Sequence, residues 1–476
     1  MPAGAEWRTL LRMGAITRRS AIHAGLCAAA AAPFLPRELL AAWRREHARG
    51  TSDRPYLDAA LRAEQWIRSV AIDTAAGRTW PCTPGDARRG KPELTLYSGT
   101  PGVILFHLEL HGATGEKRFL DEAVRGAAEL ATVVPAAGTR VRDAGFYEGV
   151  AGHMFTLHAV AKASGRADVL DAAKRAARSL AASADQAPGG GVRWNIVTDI
   201  IAGSAGIGLA LLAARELLGD EATALARKTG DALLPRAEPM GEGKKRWMMD
   251  ETFPREMPNF SHGTAGVAYF LATLSAQGGE RTHLEAARDG ARYLRSIAAP
   301  SGNGIVIRHH QGDGANLFYM SWCHGPAGTA RLFERLDAIE PAGGWRVTED
   351  ECASGTVAQG IPEQRTAGFW NNISQCCGNA GVAEYFLARH ARTRKAADLT
   401  YARRHADDIL MRGTIDTDRE QWVQAENRVS PADTAAQTGW MQGAAGVGAM
   451  LLRVDAAMRG ERRARVVRFP DSPYSA

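Results

Sequence analysis

A chain of 476 residues is about three times the usual domain length, which allows two to four domains or one large repeat array. Hydrophobic residues make up 45% and charged residues 23%, a globular balance that excludes disorder as the main state. Of the net +6, residues 1–50 supply most, with eight arginines against three glutamates, so the body lacks the basic face that nucleic-acid binding needs; no run of eighteen apolar residues is present to span a membrane.

In chain order, residues 12–36 read RMGAITRRSAIHAGLCAAAAAPFLP. A basic stretch precedes a short Ala-rich run, with small residues at 28–32 where a signal peptidase would cut. The Arg18-Arg19 pair gives this the look of a twin-arginine signal. Residues 1–35 are therefore expected to be a leader and 36–54 a linker, with export to the periplasm or beyond. Read instead as an amphipathic helix with two solvated arginines, the same segment leaves the protein in the cytoplasm. Cleavage would remove Cys27 and leave Cys82, Cys323, Cys352, Cys376 and Cys377, an odd number that argues against a disulfide framework.

From about residue 55 to 455 the chain repeats itself. The unit is Gly-x-(Ala or Pro)-Gly followed by an apolar run. Copies begin at Gly99, Gly149, Gly203, Gly263, Gly325, Gly378 and Gly443, at spacings of 50, 54, 60, 62, 53 and 65 residues. The runs at 103–110, 153–163, 207–218 and 267–274 have little polar face and read as helices buried on most sides. Between them, 55–71, 118–134, 167–183 and 283–299 place apolar residues every three or four positions, as amphipathic helices do. Each unit is thus an outer helix, a loop, a glycine turn and an inner helix. The glycines are expected to permit close approach and positive φ, and the inner N-termini to present free N–H groups to a common cleft. One outer helix precedes the first motif and none follows the last, an offset that suits a ring closed by its two ends. The expected fold is all-α, a closed toroid of seven helical hairpins or (α/α)7 barrel; an open solenoid is the alternative. Strand signals are local, as at 304–310, and 456–476 reads as a basic tail.

Three copies carry reactive side chains beside the first glycine: Ser261-His262-Gly263, Trp322-Cys323-His324-Gly325 and Cys376-Cys377-Gly378. With these motifs, a seven-hairpin ring over residues 55–455 resembles the lanthionine synthetase C-like family. The resemblance implies one Zn2+ held by a cysteine of the fifth repeat and a pair from the sixth. Here these are Cys323, Cys376 and Cys377, the last standing where histidine is commoner. The residue chemistry agrees, since three thiolates suit a tetrahedral zinc with one open position. Cys82 and Cys352, outside the motifs, read as buried inert thiols.

Such a zinc binds a substrate thiol and holds it as thiolate. The resemblance implies Michael addition of a peptide cysteine to dehydroalanine or dehydrobutyrine, giving a thioether ring. His262 matches the family's acid/base histidine, and Asp199 an aspartate that orients it or the substrate. Trp322 and His324 are expected to line the cleft or stand behind the ligands. Tyr319 departs from the family, which often carries an arginine there. The partner is a peptide or a small thiol, and for a cyclase the dehydrated substrate must be supplied from elsewhere. Two other readings stand beside this one. The first is an exported zinc protein that binds peptides or thiols without catalysis. The second is a helical-hairpin glycoside hydrolase or epimerase, which usually has six hairpins and needs two placed carboxylates.

Overall fold

The computed structural model describes residues 52–474 apart from 254, 313, 315, 316, 318, 365–371, 424–433 and 462–464. Residues 1–35, expected to be a twin-arginine leader, and nearly all of the expected linker lie outside the described residues. A first outer helix, α1 (Pro55–Ser69), and a short α2 (Pro84–Arg88) lead into six hairpins, each an inner helix followed by an outer one. These are α3 (Thr100–Thr114) with α4 (Lys117–Val133), and α5 (Val150–Ser164) with α6 (Ala167–Ala182). The third joins α7 (Ser204–Ala213) through a four-residue α8 (Arg215–Leu218) to α9 (Asp220–Leu233). The others are α10 (Thr264–Ala276) with α11 (Arg281–Ile297), α12 (Pro326–Ile339) with α13 (Trp345–Ala358), and α14 (Asn379–Thr393) with α15 (Ala396–Arg412). The last inner helix, α16 (Ala444–Met458), packs against α1 and so completes a seventh hairpin from the two ends of the fold. Each inner helix touches the next, and α16 touches α3, so the ring is closed. Among the described residues no helix is long and apolar enough to cross a membrane.

Periodicity explains which helix goes where. In α4 the buried residues are Phe119, Ala123, Gly126, Ala127 and Leu130, one stripe at steps of three and four, and the opposite face is charged. Burying a side chain such as Phe119 contributes about 1.5–3 kcal/mol. Inner helices have no such stripe: α3 buries every residue from Thr100 to Leu110. The run 207–218, which reads as one inner helix, is divided. Helix α7 stops at Ala213, where the exposed Arg215 and Glu216 turn the chain outward before α9.

Each first glycine of the motif is the N-cap of an inner helix. Close approach, not positive φ, is what requires glycine here. A Cβ on Gly378 would lie 2.3 Å from the Asn372 carbonyl oxygen, and one on the second glycine, Gly328, 1.9 Å from that of Trp322. Of the seven first glycines only Gly325 has a positive φ, at 149°. The helix N-termini are not open to a ligand either. The preceding loop wraps over them, and at α7 Ser204, Ala205 and Gly206 donate to the carbonyls of Val197, Thr198 and Asp199 at 3.0 Å.

Outer helices return to the ring through short antiparallel ribbons, five among the described residues, of which only Ala299–Ser301 with Gly304–Val306 had a sequence signal. A tryptophan follows several of them. Trp194, Trp247 and Trp422 each turn an indole N–H back onto a carbonyl at the end of the preceding outer helix, at 2.7, 2.8 and 2.8 Å. These bonds satisfy carbonyls that a helix end leaves orphaned.

Beyond α16 the chain does not run off as a basic tail. Its apolar residues carry it back into the barrel, where Val467 and Asp471 are 1% exposed and Phe469 is 8% exposed.

Candidate metal centre

The residues two before the first glycines are joined in a circle of backbone hydrogen bonds around the barrel mouth. Met441 donates to Tyr97, Tyr97 to Tyr147, and Tyr147 to Ile201, at 2.9, 3.0 and 2.9 Å. The circle slips one residue in the third repeat, where Ile200 donates to Ser261 at 3.1 Å. It then closes through Ser261 to Cys323, Cys323 to Cys376 and Cys376 back to Met441, at 3.0, 2.9 and 2.9 Å. Sequence positions separated by 50 residues or more are thereby locked side by side, and the chemistry of the site is set by what each repeat carries at these positions.

The fifth and sixth repeats carry sulfur. Cys323 Sγ lies 3.1 Å from Cys377 Sγ, which lies 3.3 Å from Cys376 Sγ, and all three are buried, with ligand atoms within 4.8 Å of one another. No disulfide joins them, and they are the cluster of metal-ligating type found among the described residues. A tetrahedral zinc with Zn–S bonds of about 2.3 Å sets its sulfurs about 3.8 Å apart, so the donor set fits a soft divalent ion. Electrostatics agree. Burial and the neighbouring thiols push Cys323 well above the ordinary thiol range. At Cys377 the contact from Cys323 pulls the other way but is outweighed by Cys376 and by burial. Three thiols packed like this ionise together only if a cation compensates them.

Two residues without a functional signal in the sequence reach this cluster. The Tyr97 hydroxyl donates to Cys376 Sγ at 3.1 Å. Gln442 Nε2 lies 2.8 Å from the Tyr97 oxygen and 3.7 Å from Cys377 Sγ. Burial, then the charges of Cys376 and Cys377, raise the Tyr97 hydroxyl well above its usual value, which keeps it a donor. Gln442 precedes Gly443 as Cys377 precedes Gly378, so its offset was visible although its residue type was not informative.

The fourth repeat supplies a histidine paired with a carboxylate. His262 Nδ1 is 2.6 Å from Asp199 Oδ2, and Asp199 Oδ1 accepts from the backbone N–H groups of Ala202 and Gly203 at 2.9 and 2.8 Å. Asp199 is 2% exposed and the His262 side chain 30%, so the pair is anchored below and open above. Burial disfavours the imidazolium, but Asp199, with Cys377 and Glu148, outweighs it and raises the His262 pKa. Ser261, next to His262, bonds Cys323, which sets this pair beside the sulfurs. His324 is outside the sulfur cluster: its ring stacks on His309 at 3.9 Å and lies 5.5 Å from that of His262. Tyr319 is buried with its ring 4.7 Å from His309 and 5.9 Å from His324. Trp322 does not form a cleft wall. It turns into the lumen, edge-on to Tyr147 and Phe260, because its neighbour Cys323 takes the outward position. Cys82 and Cys352 are apart from the cluster, and burial pushes Cys82 up to about 11.

The profile of the lanthionine synthetase C-like proteins matches residues 91–460. This chain belongs to that family. Among solved structures, nisin cyclase superposes with a TM-score of 0.57 at 15% identity, over 81% of this chain and 95% of that one. The GH76A alpha-1,6-mannanase from Salegentibacter sp. HEL1_6 gives 0.45 at 11% identity over 85% and 99%. A sugar epimerase from a ruminal bacterium gives 0.43 at 12% over 84% and 98%. For this lanthionine synthetase C-like chain the ring has seven hairpins, the count its sequence repeats imply. Its third sulfur, Cys377, occupies the same glycine-adjacent position as His262 and His324 in their own repeats.

Proposed function

We propose that this chain holds one Zn2+ through Cys323, Cys376 and Cys377 and catalyses addition of a peptide thiol to a dehydroamino acid, the thioether-forming step of a lanthionine cyclase. The observation that carries the reading is the convergence of three buried sulfurs beside the Asp199–His262 pair. When bound, a tricysteine zinc supplies a vacant thiophilic position at which a substrate thiol loses its proton near neutral pH. The protein's own groups do the rest. Tyr97 and Gln442 place hydrogen-bond donors against the sulfurs and spread their negative charge. Asp199 fixes the His262 ring through Nδ1 and leaves Nε2 toward the cleft. The substrate sulfur forms its bond to the β-carbon of the alkene, the π electrons pass to the α-carbon and its carbonyl, and His262, having taken the proton the thiol gives up, delivers it to the α-carbon. The thiol's S–H has then added across C=C, and no oxidant or other reactant is consumed. The likeness to nisin cyclase and the family membership support this reading.

The test uses zinc-loaded protein and a peptide with one cysteine and one dehydroalanine. Ring closure leaves the mass unchanged, so it is followed as loss of the thiol that an alkylating reagent traps. His262→Ala is expected to retain zinc and lose about 100-fold or more in rate. Equal rates for His262→Ala and wild type overturn the catalytic role. Wild type that binds zinc and peptide without forming product supports the binding-protein reading instead.

A further inference from the structure

The returning C-terminal segment, residues 465–474, fills the lumen beneath the cysteine cluster. It touches five of the seven inner helices, through Glu109, Phe155, Tyr269, Arg331 and Glu384. A tight turn, closed by Ser472 N–H to the Phe469 carbonyl at 3.1 Å, makes its tip. Phe469 stacks on Tyr147 with an interplanar angle of 9° and meets Trp440 at 5.0 Å. A cavity of only about 40 Å³ remains between the tip and the ring of residues above it.

Asp471 stands at this tip. Its Oδ2 accepts from the Tyr147 hydroxyl at 3.0 Å and from the Trp322 indole N–H at 3.2 Å, and Arg331 donates to its backbone carbonyl at 2.8 Å. Both donors point inward from residues at the backbone circle, Tyr147 in it and Trp322 next to Cys323. Trp322 precedes the ligand Cys323, and Tyr147 meets edge-on the Tyr97 ring whose hydroxyl reaches Cys376. Filling a lumen needs only apolar side chains such as Val467 and Phe469. A carboxylate at 1% exposure costs free energy unless its partners repay it, and here the partners are these two groups at Oδ2 and the Arg331 guanidinium 4.0 Å from Oδ1.

We infer that Asp471 is a positioning residue for the metal centre, holding Trp322 and Tyr147, and through them Cys323 and Tyr97, in the arrangement that brings the three sulfurs together. This rests on the zinc reading above. The test measures zinc affinity by chelator competition and the absorption bands of the Co2+-substituted protein, on the full chain. Asp471→Asn is expected to weaken zinc by about tenfold and to shift the cobalt bands. Tyr147→Phe, which leaves the C-terminal segment intact, is expected to do the same to a smaller extent, and it carries the test if Asp471→Asn does not fold. Tyr269→Phe removes the hydroxyl that holds the Pro470 carbonyl and touches neither Trp322 nor Tyr147. It is expected to lower thermal stability with unchanged zinc affinity and cobalt bands. Zinc affinities of Asp471→Asn and Tyr147→Phe within twofold of wild type, with unshifted cobalt bands, overturn the positioning role and leave the segment a filler. A wild type that binds neither ion overturns the zinc reading itself.

Discussion

Asp199 serves backbone and side chain at once: one oxygen closes the turn ahead of α7, and the other holds His262. An asparagine keeps the first bond and loses the charge that supports the imidazolium. In Asp199→Asn the His262 titration midpoint, read by NMR, is expected to fall. The stability consequence has a definite sign. A histidine whose pKa is raised on folding contributes stability that is fully present below its unfolded value, near 6.5, and is lost as pH rises through the folded value. The penalty of Asp199→Asn in denaturant titrations is therefore larger at about pH 5.5 than at about pH 8.5. An equal penalty at both would mean that only the turn matters. Tyr97→Phe isolates the other side of the site. It removes one donor to Cys376 and the oxygen that accepts from Gln442, with no packing lost, so zinc affinity is expected to fall about tenfold with only a modest loss of thermal stability. Affinity unchanged by chelator competition would show that this hydrogen bond tunes nothing.

At the scale of elements, the glycine turn is the part least open to change. A methyl group on Gly328 collides with a backbone carbonyl, which cannot rotate away as a side chain does. Gly328→Ala is expected to lose roughly 3 kcal/mol or more, or to be insoluble. Gly85→Ala, in the short helix α2, meets nothing closer than 3.5 Å and is expected to be neutral or slightly stabilising. Urea midpoints of the two variants check both statements. The same turn explains what could be read in advance. The helices were legible because α4 and its counterparts keep a strict stripe and α3 keeps none. The candidate ligands were legible because Cys323, Cys376 and Cys377 sit at fixed offsets from glycines and are residue types with few other uses. Tyr97 and Gln442 share those offsets, but tyrosine and glutamine occur everywhere, so offset alone did not mark them. The ribbons were invisible because two or three residues set no period. Asp471 was hidden more deeply. Its partners come from the second and fifth repeats, and nothing in the sequence near 471 announces a lumen.

The whole ring depends on a junction that local sequence does not encode, where α1 meets the chain's other end. Arg62 pairs at 2.8 Å with Glu420, which is fully buried, and Arg54 pairs at 2.6 Å with Asp455 of α16. Six hairpins are held by chain connectivity as well as by packing, whereas the seventh relies on packing and on non-covalent bonds such as these. Removing Arg62 takes a cation from beside a carboxylate in a site that water does not reach. Arg62→Ala is accordingly expected to cost roughly 3 kcal/mol by urea titration. Arg62→Met combined with Glu420→Gln, which removes both charges and keeps most of the volume, should recover much of that loss. A surface pair would instead give less than about 1 kcal/mol for the single change and no recovery in the double. Because the sulfur-bearing repeats are tied to the first and last repeats by the backbone circle through Met441 and Tyr97, loosening the junction should reach the metal centre too. Zinc loss from Arg62→Ala is expected to begin at a lower urea concentration than in wild type and to coincide with the unfolding transition. Zinc release that precedes unfolding in wild type would mean that the circle opens independently of the ring.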